Sequence, residues 1–235
     1  MRPIRAMTGS QYNLGLMCEN GQGVRQSHKE AVRWYQKAAD QGVADAQVNL
    51  GFMYENGQGV KQSDKEAVRW YQKAADQGHA DAQYNLGVFY DSGRGVKQSD
   101  KKAVRWWQKA ADQGHAGSQY NLGVMYRNGQ GVKQNDKKAL RSWQKAAEQG
   151  FAEAQYNLGI MCRNGQGVKQ SNKEAVRWWQ MAADQGYADA QFSLACCYKN
   201  GRGVKQSDKE ANRWAKKAAD QGHKHAESAL DSLAW

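Results

Sequence analysis

The chain has 235 residues, of which 40% are hydrophobic, and no apolar run is long enough to cross a bilayer, so no membrane insertion is expected. A single proline among 25 glycines excludes collagen and proline-rich linkers, and nine tryptophans, eleven tyrosines and four phenylalanines argue against disorder. Lysine and arginine outnumber aspartate and glutamate by 34 to 23, which gives a net charge of +11 that attracts anions but is spread thinly along the chain.

The sequence repeats itself every 36 residues. Leucines recur at this spacing, at Leu14, Leu50, Leu86, Leu122, Leu158, Leu194 and Leu230. A period in this range is typical of a solenoid, in which each unit buries its apolar face only by stacking on its neighbours. We therefore predict a single domain over residues 1–235, with units at about 7–42, 43–78, 79–114, 115–150, 151–186 and 187–222 and a terminal helix at 223–235.

Each unit is predicted to contain two helices joined by a glycine-containing turn. In the third unit, the first helix places Ala82, Leu86 and Phe89 on one apolar stripe at helical spacing. It is expected to end at Gly93 and Gly95, because glycine adopts the positive φ that turns the chain back.

The second helix of each unit is predicted to begin at a serine. In the second unit Ser63 is the expected N-cap, and Glu66 three residues later completes the pattern of a capping box. The alanines that follow let helices approach closely, and Gly78 is expected just after the helix ends.

The pattern AxxxLGxxY…GxGV…KEAVRWYxKAAxxG resembles the Sel1-like repeat family, relatives of tetratricopeptide repeats with a longer turn between the two helices. The resemblance covers the chain from about Ala6 to Trp235, with three local departures. Most second helices begin with serine where the family often has an acidic cap, Ser142 replaces a tryptophan and Ala195 replaces the glycine that follows leucine. It implies an all-α, right-handed α-solenoid superhelix of six 36-residue helix-turn-helix repeats plus a C-terminal half repeat. The implied function is a protein-interaction scaffold or adaptor, whose partner protein or peptide lies in a concave groove lined by the first helices.

Three uncharged sets of residues are predicted to line this groove. An asparagine set consists of Asn13, Asn49, Asn85, Asn121 and Asn157. An aromatic set consists of Tyr12, Val48, Tyr84, Tyr120, Tyr156 and Phe192, and an apolar set of Leu16, Phe52, Val88, Val124, Ile160 and Cys196. The amides could hold a peptide main chain, the rings offer rigid contacts and the apolar residues suit a partner's side chains. The alternatives are that the amides bond neighbouring repeats, that the rings pack between repeats and that the apolar set turns into the core.

One repeat position changes its charge midway along the chain. It holds Glu19, Glu55 and Asp91 in the first three units and Arg127, Arg163 and Lys199 in the last three. Because the surrounding repeat hardly varies, the sequence suggests that folding does not dictate this position, which leaves drift or a partner. A partner would meet one acidic and one basic half of the groove, which favours one binding orientation.

The sequence offers no constellation typical of catalysis, so we expect neither an enzyme nor a cofactor. Histidines at His79, His115 and His223 share a position filled elsewhere by Val43 and Phe151, which does not fit a shared metal ligand. Some cysteine-rich relatives bind or hydrolyse β-lactams, which makes such an enzyme the first alternative, although the serines here match helix caps without an adjacent base. Weak nucleic-acid binding through a basic rim is the second alternative, disfavoured because acidic residues are mixed with the basic ones.

The four cysteines and the chain start bear on where the protein acts. Cys18, Cys162, Cys196 and Cys197 are expected to be reduced apolar fillers, which fits a reducing compartment. The opening MRPIRAMTGS lacks the apolar region of a secretory signal, so a cytoplasmic protein is expected, or a secreted or periplasmic one if the natural start lies upstream. The first unit has no evident cap, which raises the expectation of an end-to-end homodimer.

Overall fold

The computed structural model describes residues 2–231, with side chains from residue 9 onward. Within this range the chain forms thirteen α-helices and no strand, which confirms the predicted all-α class. The first helices of the repeats are α1 (Arg2–Asn20), α3 (Ala44–Asn56), α5 (Ala80–Ser92), α7 (Ala116–Asn128), α9 (Ala152–Asn164), α11 (Ala188–Asn200) and α13 (Lys224–Asp231). The second helices are α2 (His28–Asp40), α4 (Asp64–Asp76), α6 (Asp100–Asp112), α8 (Asp136–Glu148), α10 (Asn172–Asp184) and α12 (Asp208–Ala219).

The helix pairs recur at the 36-residue period, so the architecture is the predicted α-solenoid of six helix-turn-helix repeats followed by half a repeat. The chain divides into two compact units, residues 1–118 and 119–235, which we call unit 1 and unit 2. The expectation that both form one continuous domain stays a prediction.

The second helices begin at the predicted caps, but the predicted capping box is only half formed. The Ser63 hydroxyl accepts a hydrogen bond from the Glu66 backbone N–H at 3.3 Å, as a serine N-cap requires. The reciprocal bond of a capping box, from the Ser63 N–H to the Glu66 side chain, does not form, because the Ser63 N–H donates to the Tyr54 carbonyl at 2.9 Å. The Glu66 carboxylate pairs with Arg69 instead, at 3.1 Å. The end of each first helix therefore caps the start of the second helix.

The turns follow the predicted glycine chemistry. Gly93 has φ of 72° and ends α5, and Gly95 has φ of 65° in the turn that follows. Gly78, just after α4, has φ of 93°. These values lie in the left-handed region that favours glycine, which explains why the same positions hold glycine in the other repeats.

A glycine and an aromatic ring set the close contact between the two helices of a repeat. A Cβ atom on Gly87 would overlap the Trp107 indole, and the same holds for the pairs Gly15/Tyr35, Gly51/Tyr71, Gly123/Trp143 and Gly159/Trp179. The sixth repeat has Ala195 at the glycine position and Ala215 at the ring position, and both are buried. The departure noted at Ala195 is therefore matched by a smaller residue on the facing helix.

Buried glutamines, which the sequence analysis did not single out, join successive repeats. Gln155 in α9 donates its side-chain amide to the Ala147 carbonyl of the preceding repeat at 3.1 Å. Its side-chain oxygen accepts a hydrogen bond from Gln185, just after α10, at 2.8 Å. The signal was present in the sequence, because glutamine follows alanine at Gln47, Gln83, Gln119, Gln155 and Gln191.

The last described helix packs less completely than predicted. Leu230, expected to turn inward, is 37% exposed, whereas Leu194 at the same repeat position is fully buried. The physical reason is that no second helix follows α13 within the described residues. The predicted inward packing of Leu233 and Trp235 concerns residues outside that range. Over residues 2–231, no helix has the length and apolar character needed to span a membrane.

Candidate functional site

The members of the apolar set of the predicted groove lie on the first helices and remain partly or largely accessible to solvent. Phe52 is 46% exposed, and the other members are partly buried: Leu16, Val88, Val124, Ile160 and Cys196. We call the surface that carries this set the first-helix face of each unit. No member is fully buried, although Leu16, Val124 and Ile160 also pack against buried apolar clusters, so both interpretations left by the sequence apply in part.

The asparagine and aromatic sets are joined by hydrogen bonds across repeat boundaries. Asn49 hydrogen-bonds the Tyr12 phenol of the preceding repeat, and Asn157 does the same with Tyr120. Burial raises the pKa of Tyr120, while the bond with Asn157 lowers it. In unit 1 Asn13 is exposed and Asn85 is partly buried, and in unit 2 Asn121 is partly buried.

The rings of the aromatic set also pack against the next repeat. Tyr84 stacks on His115 with ring centroids 4.6 Å apart, and Tyr156 contacts Tyr187 at 5.3 Å. Burial raises the pKa of Tyr187 to about 12. These rings thus take part in inter-repeat packing and remain partly exposed.

In unit 1 the acidic residues of the charge-changing position have structural partners. The Tyr35 hydroxyl donates to Glu19 at 2.5 Å, and the Tyr71 hydroxyl donates to Glu55 at 2.9 Å. Burial raises the pKa of Tyr71 well above its usual range, and the Glu55 carboxylate raises it further. The expectation that folding does not dictate this position is therefore wrong for Glu19 and Glu55.

Arg94, in the turn after α5, adds a second partner for Glu55. Its guanidinium donates to the Glu55 carboxylate at 3.1 Å and to the Asp64 carboxylate at 3.3 and 2.8 Å. It also lies 4.7 Å from the centre of the Phe89 ring. Asp91, the third acidic residue of the position, is exposed, and burial followed by the nearby Asp100 raises its pKa.

From the third repeat onward a tryptophan replaces the tyrosine, and the charge changes one repeat later, after Asp91. The Trp143 indole N–H donates to the Tyr120 carbonyl at 3.0 Å, and the Trp179 indole N–H donates to the Tyr156 carbonyl at 3.1 Å. Since a backbone carbonyl satisfies each indole, no carboxylate is needed, and the charge-changing position is free to hold arginine. The correlation of tyrosine with glutamate in the first two repeats was the sequence signal for this arrangement.

The basic residues of unit 2 differ in how far they are paired. Arg127 donates to Asp136 at 3.0 Å and to Gln166 of the next repeat at 2.7 Å, and Lys199 pairs with Asp208 at 3.2 Å. Arg163 is exposed, lies 5.4 Å from the centre of the Trp179 ring and, among the side chains that the structure describes, donates only to Asn164 of its own helix, at 3.3 Å.

A cavity of about 320 Å³ opens on the first-helix face of unit 2. Val124 and Ile160 supply apolar walls, and Arg127, Asn157 and Gln166 supply polar groups. Two predicted site residues, Asn157 and Arg127, are thereby brought to one cavity together with two members of the apolar set.

The groups considered for catalysis have structural partners. The His115 Nδ1 accepts a hydrogen bond from the Ser118 backbone N–H at 3.1 Å, and its Nε2 lies 3.5 Å from Asp81. Burial lowers the pKa of His115. Three thiols, those of Cys18, Cys162 and Cys197, pack in apolar clusters as predicted, and burial raises the pKa of Cys197 to about 11.

Within the described residues, no group of three or more histidine, cysteine, aspartate or glutamate side chains is placed to hold a metal ion. The serine hydroxyls at the second-helix caps accept hydrogen bonds from backbone amides, as at Ser171, where the distance to the Glu174 N–H is 3.2 Å. These serines act as helix caps.

Comparison with solved structures identifies relatives of the same architecture. A protective antigen from uropathogenic Escherichia coli strains, which displays an SLR fold, is 37% identical with a TM-score of 0.93. The match covers 96% of this chain and 48% of that chain, so the present chain spans about half the length of that relative. A Sel1 repeat protein from Oxalobacter formigenes is 33% identical with a TM-score of 0.85, over 94% of this chain and 86% of that one. An immunity protein from Pseudomonas aeruginosa, 21% identical with a TM-score of 0.52 over 91% of this chain and 81% of that one, shares the fold.

No curated protein matches the chain. The Sel1 repeat family, in contrast, matches six consecutive segments, at residues 8–43, 44–79, 80–115, 116–151, 152–187 and 188–223. These segments reproduce the 36-residue period and contain the helix pairs described above. The chain therefore belongs to the Sel1 repeat family.

Proposed function

We propose that this chain is a protein-interaction scaffold that binds a partner protein or peptide on its first-helix faces. Sel1 repeat proteins commonly serve as such scaffolds. The proposed contact residues are the predicted ones: Asn13, Asn49, Asn85, Asn121, Asn157, Tyr84, Tyr120, Tyr156, Phe52, Glu19, Glu55, Asp91, Arg127, Arg163 and Lys199.

The observation that carries this proposal is the exposure of the apolar set. A phenylalanine that is 46% exposed at Phe52 loses contact with water when a partner covers it, which favours association. The identity of the residue varies between repeats, from Leu16 to Ile160, although the surrounding repeat is nearly constant. Variable apolar residues beside fixed amides and rings suit a partner with its own order of side chains.

The test is affinity capture from extracts of the source cells, with partner recovery quantified by mass spectrometry. Phe52→Glu in unit 1 and Ile160→Glu in unit 2 each place a charge on the first-helix face. We expect at least one of them to reduce recovery of the main partner by about tenfold or more, because a charge buried against an apolar contact costs well over 1.4 kcal/mol.

Met181→Glu is the matched control, because Met181 is 45% exposed but lies on the second helix α10. It introduces the same charge and is expected to leave partner recovery unchanged. Equal recovery by the wild type and both first-helix variants, with melting temperatures unchanged, would contradict the proposal.

A further inference from the structure

Two turns of the chain present an arginine in the same way but with different surroundings. Arg94 follows Gly93 in unit 1, and Arg202 follows Gly201 in unit 2. The flanking glycines have matching backbones, with φ of 72° and 65° around Arg94 and of 64° and 76° around Arg202. A Cβ on Gly203 would meet the backbone of Asn172, just as a Cβ on Gly95 would meet that of Asp64. Both turns therefore pack on the start of the preceding repeat's second helix.

Both carboxylates that hold Arg94 are replaced around Arg202. Glu55 lies 39 residues before Arg94, and Arg163 occupies that position relative to Arg202. Asp64 lies 30 residues before Arg94, and Asn172 occupies the corresponding position. At the positions equivalent to the two acids around Arg94, Arg202 therefore has a second arginine and a neutral asparagine.

The same inter-repeat relation is satisfied elsewhere in unit 2. Arg127 donates to Gln166, also 39 residues further along, so an arginine at the first position is paired with an acceptor at the second. At Arg163 and Arg202 both positions hold donors, and neither offers an acceptor to the other. Over residues 9–231, no carboxylate forms an ion pair with either arginine. Both guanidinium groups lie close enough to Cys196 to lower its pKa, against the larger rise caused by burial.

Resting on the proposed function, we infer that the first-helix face of unit 2 binds an acidic segment of its partner protein, with a carboxylate between Arg163 and Arg202. The partner's carboxylate takes the place that Glu55 and Asp64 take around Arg94. Two guanidinium groups can each offer paired N–H donors to a carboxylate, which is a strong and geometrically specific contact.

The apolar surroundings favour a peptide over a nucleic acid. Ile160 lies one helical turn before Arg163 and lines the 320 Å³ cavity together with Val124. Repeats stack about 10 Å apart, which matches about three residues of extended peptide. An apolar side chain in the cavity and an acidic one at the arginine pair therefore suit a single segment, with the two residues about three positions apart.

The inference is tested by selecting peptides from a random display library on the purified full chain, separately for the wild type and two variants. Arg202→Gln introduces the residue found at this position in Gln22, Gln58, Gln130 and Gln166, so it is compatible with the fold. Arg163→Glu restores the acid that Glu55 supplies to Arg94. We expect the wild type to enrich peptides with aspartate or glutamate near an apolar residue. The affinity of both variants for those peptides is expected to be lower by about tenfold or more.

Arg177→Gln is the matched control, because it removes the same charge from α10, where Arg177 is exposed and pairs with Glu174. It is expected to leave the selected peptides bound. Selection of no peptide, of peptides without acidic enrichment, or of acidic peptides that bind Arg202→Gln equally well would overturn the inference. Arginine-dependent binding of a single-stranded oligonucleotide in place of the acidic peptides would overturn it as well.

A second measurement needs no ligand. Because Arg163→Glu replaces a like-charge pair by an ion pair, we expect its melting temperature to rise by about 2 °C. An unchanged or lower value would mean that the two arginines do not face each other as inferred. If Ile160→Glu abolishes partner capture while Arg202→Gln does not, this inference fails and the proposed scaffold function stands. Unchanged capture by Arg202→Gln, Ile160→Glu and Phe52→Glu would contradict both.

Discussion

Among single residues, the fit between a glycine and an aromatic ring decides how closely the two helices of a repeat approach. Gly87 lies directly against the Trp107 indole, and the sixth repeat, with Ala195, has Ala215 in place of the ring. A larger side chain at the glycine position is accompanied by a smaller one at the ring position, as close packing requires. One methyl group gained on one helix is thus accommodated by loss of a ring on the other.

Gly87→Ala is expected to destabilise the protein by about 1–3 kcal/mol, because the added methyl group overlaps a ring that is itself buried. Trp107→Ala alone leaves a cavity and costs about 3–5 kcal/mol. In the double variant, which reproduces the Ala195/Ala215 arrangement, the cost is expected to be clearly smaller than the sum. Urea unfolding of the four proteins measures the coupling, and additive effects would contradict the proposed exchange of volume.

His115 is expected to make stability depend on pH. Burial lowers its pKa from 6.5, so below that value the unfolded chain binds more protons than the folded one. This contribution to stability is therefore present above pH 6.5 and is lost as the pH falls through the folded-state pKa. Melting temperatures measured across this range should fall less on acidification for His115→Phe than for the wild type.

Phe151 occupies the equivalent position of the next repeat and packs on Tyr120 with ring centroids 5.1 Å apart, so phenylalanine is compatible with the packing at His115. His225→Phe is the comparison variant, because His225 is exposed and is not a helix cap. The same acid sensitivity in the His115→Phe variant and the wild type would exclude this source of pH dependence.

For the helices, the bonds at the start of each second helix separate a structural serine from a dispensable glutamate. Ser63→Ala is expected to cost about 1 kcal/mol, since the hydroxyl is the acceptor for the Glu66 N–H. Glu66→Gln is expected to change stability by less than about 0.5 kcal/mol, because its carboxylate serves only an exposed pair with Arg69. Thermal unfolding of both variants provides the comparison. A larger loss of stability for Glu66→Gln than for Ser63→Ala would contradict this assignment and support a complete capping box.

The elements that the sequence predicts well are those specified by neighbouring residues. Serine caps, glycine turns and the leucine stripe depend on contacts within a few positions of the chain, so they are visible in one repeat. Glu66 was assigned the wrong hydrogen bond because its competitor, the Tyr54 carbonyl, comes from another helix. The start of α4 at Ser63 and the end of α5 at Gly93 agree with the predicted caps for the same local reason.

The candidate site was less predictable, because its contacts join residues in different repeats. The pair of Glu55 with Arg94 spans 39 residues, and so does the contact of Arg127 with Gln166. A count of repeat positions shows which residues vary but not which ones face each other. The role of Glu55 as an acceptor for Tyr71 therefore became evident only from the geometry.

For the molecule as a whole, the buried glutamines are expected to make neighbouring repeats unfold together within each unit. Gln155→Leu keeps the volume but leaves the Ala147 carbonyl without its side-chain donor, which is expected to cost about 1–3 kcal/mol. Hydrogen exchange should then show faster opening of both α8 and α9. Gln144→Leu, an exposed change on α8, should stay within about 0.5 kcal/mol. Faster exchange confined to α9 would contradict a role in joining repeats.

Some contacts lie inside one repeat and others cross a repeat boundary. This difference determines which contacts are kept when the chain gains or loses whole repeats. The match of Gly159 with Trp179 lies within one 36-residue block, so copying or removing whole blocks leaves it intact. The match of Arg127 with Gln166 does not survive: loss of residues 151–186 would set Arg127 opposite Arg202. Hairpin interiors are therefore interchangeable parts, and the polarity of the junctions determines which orders of blocks form a stable array.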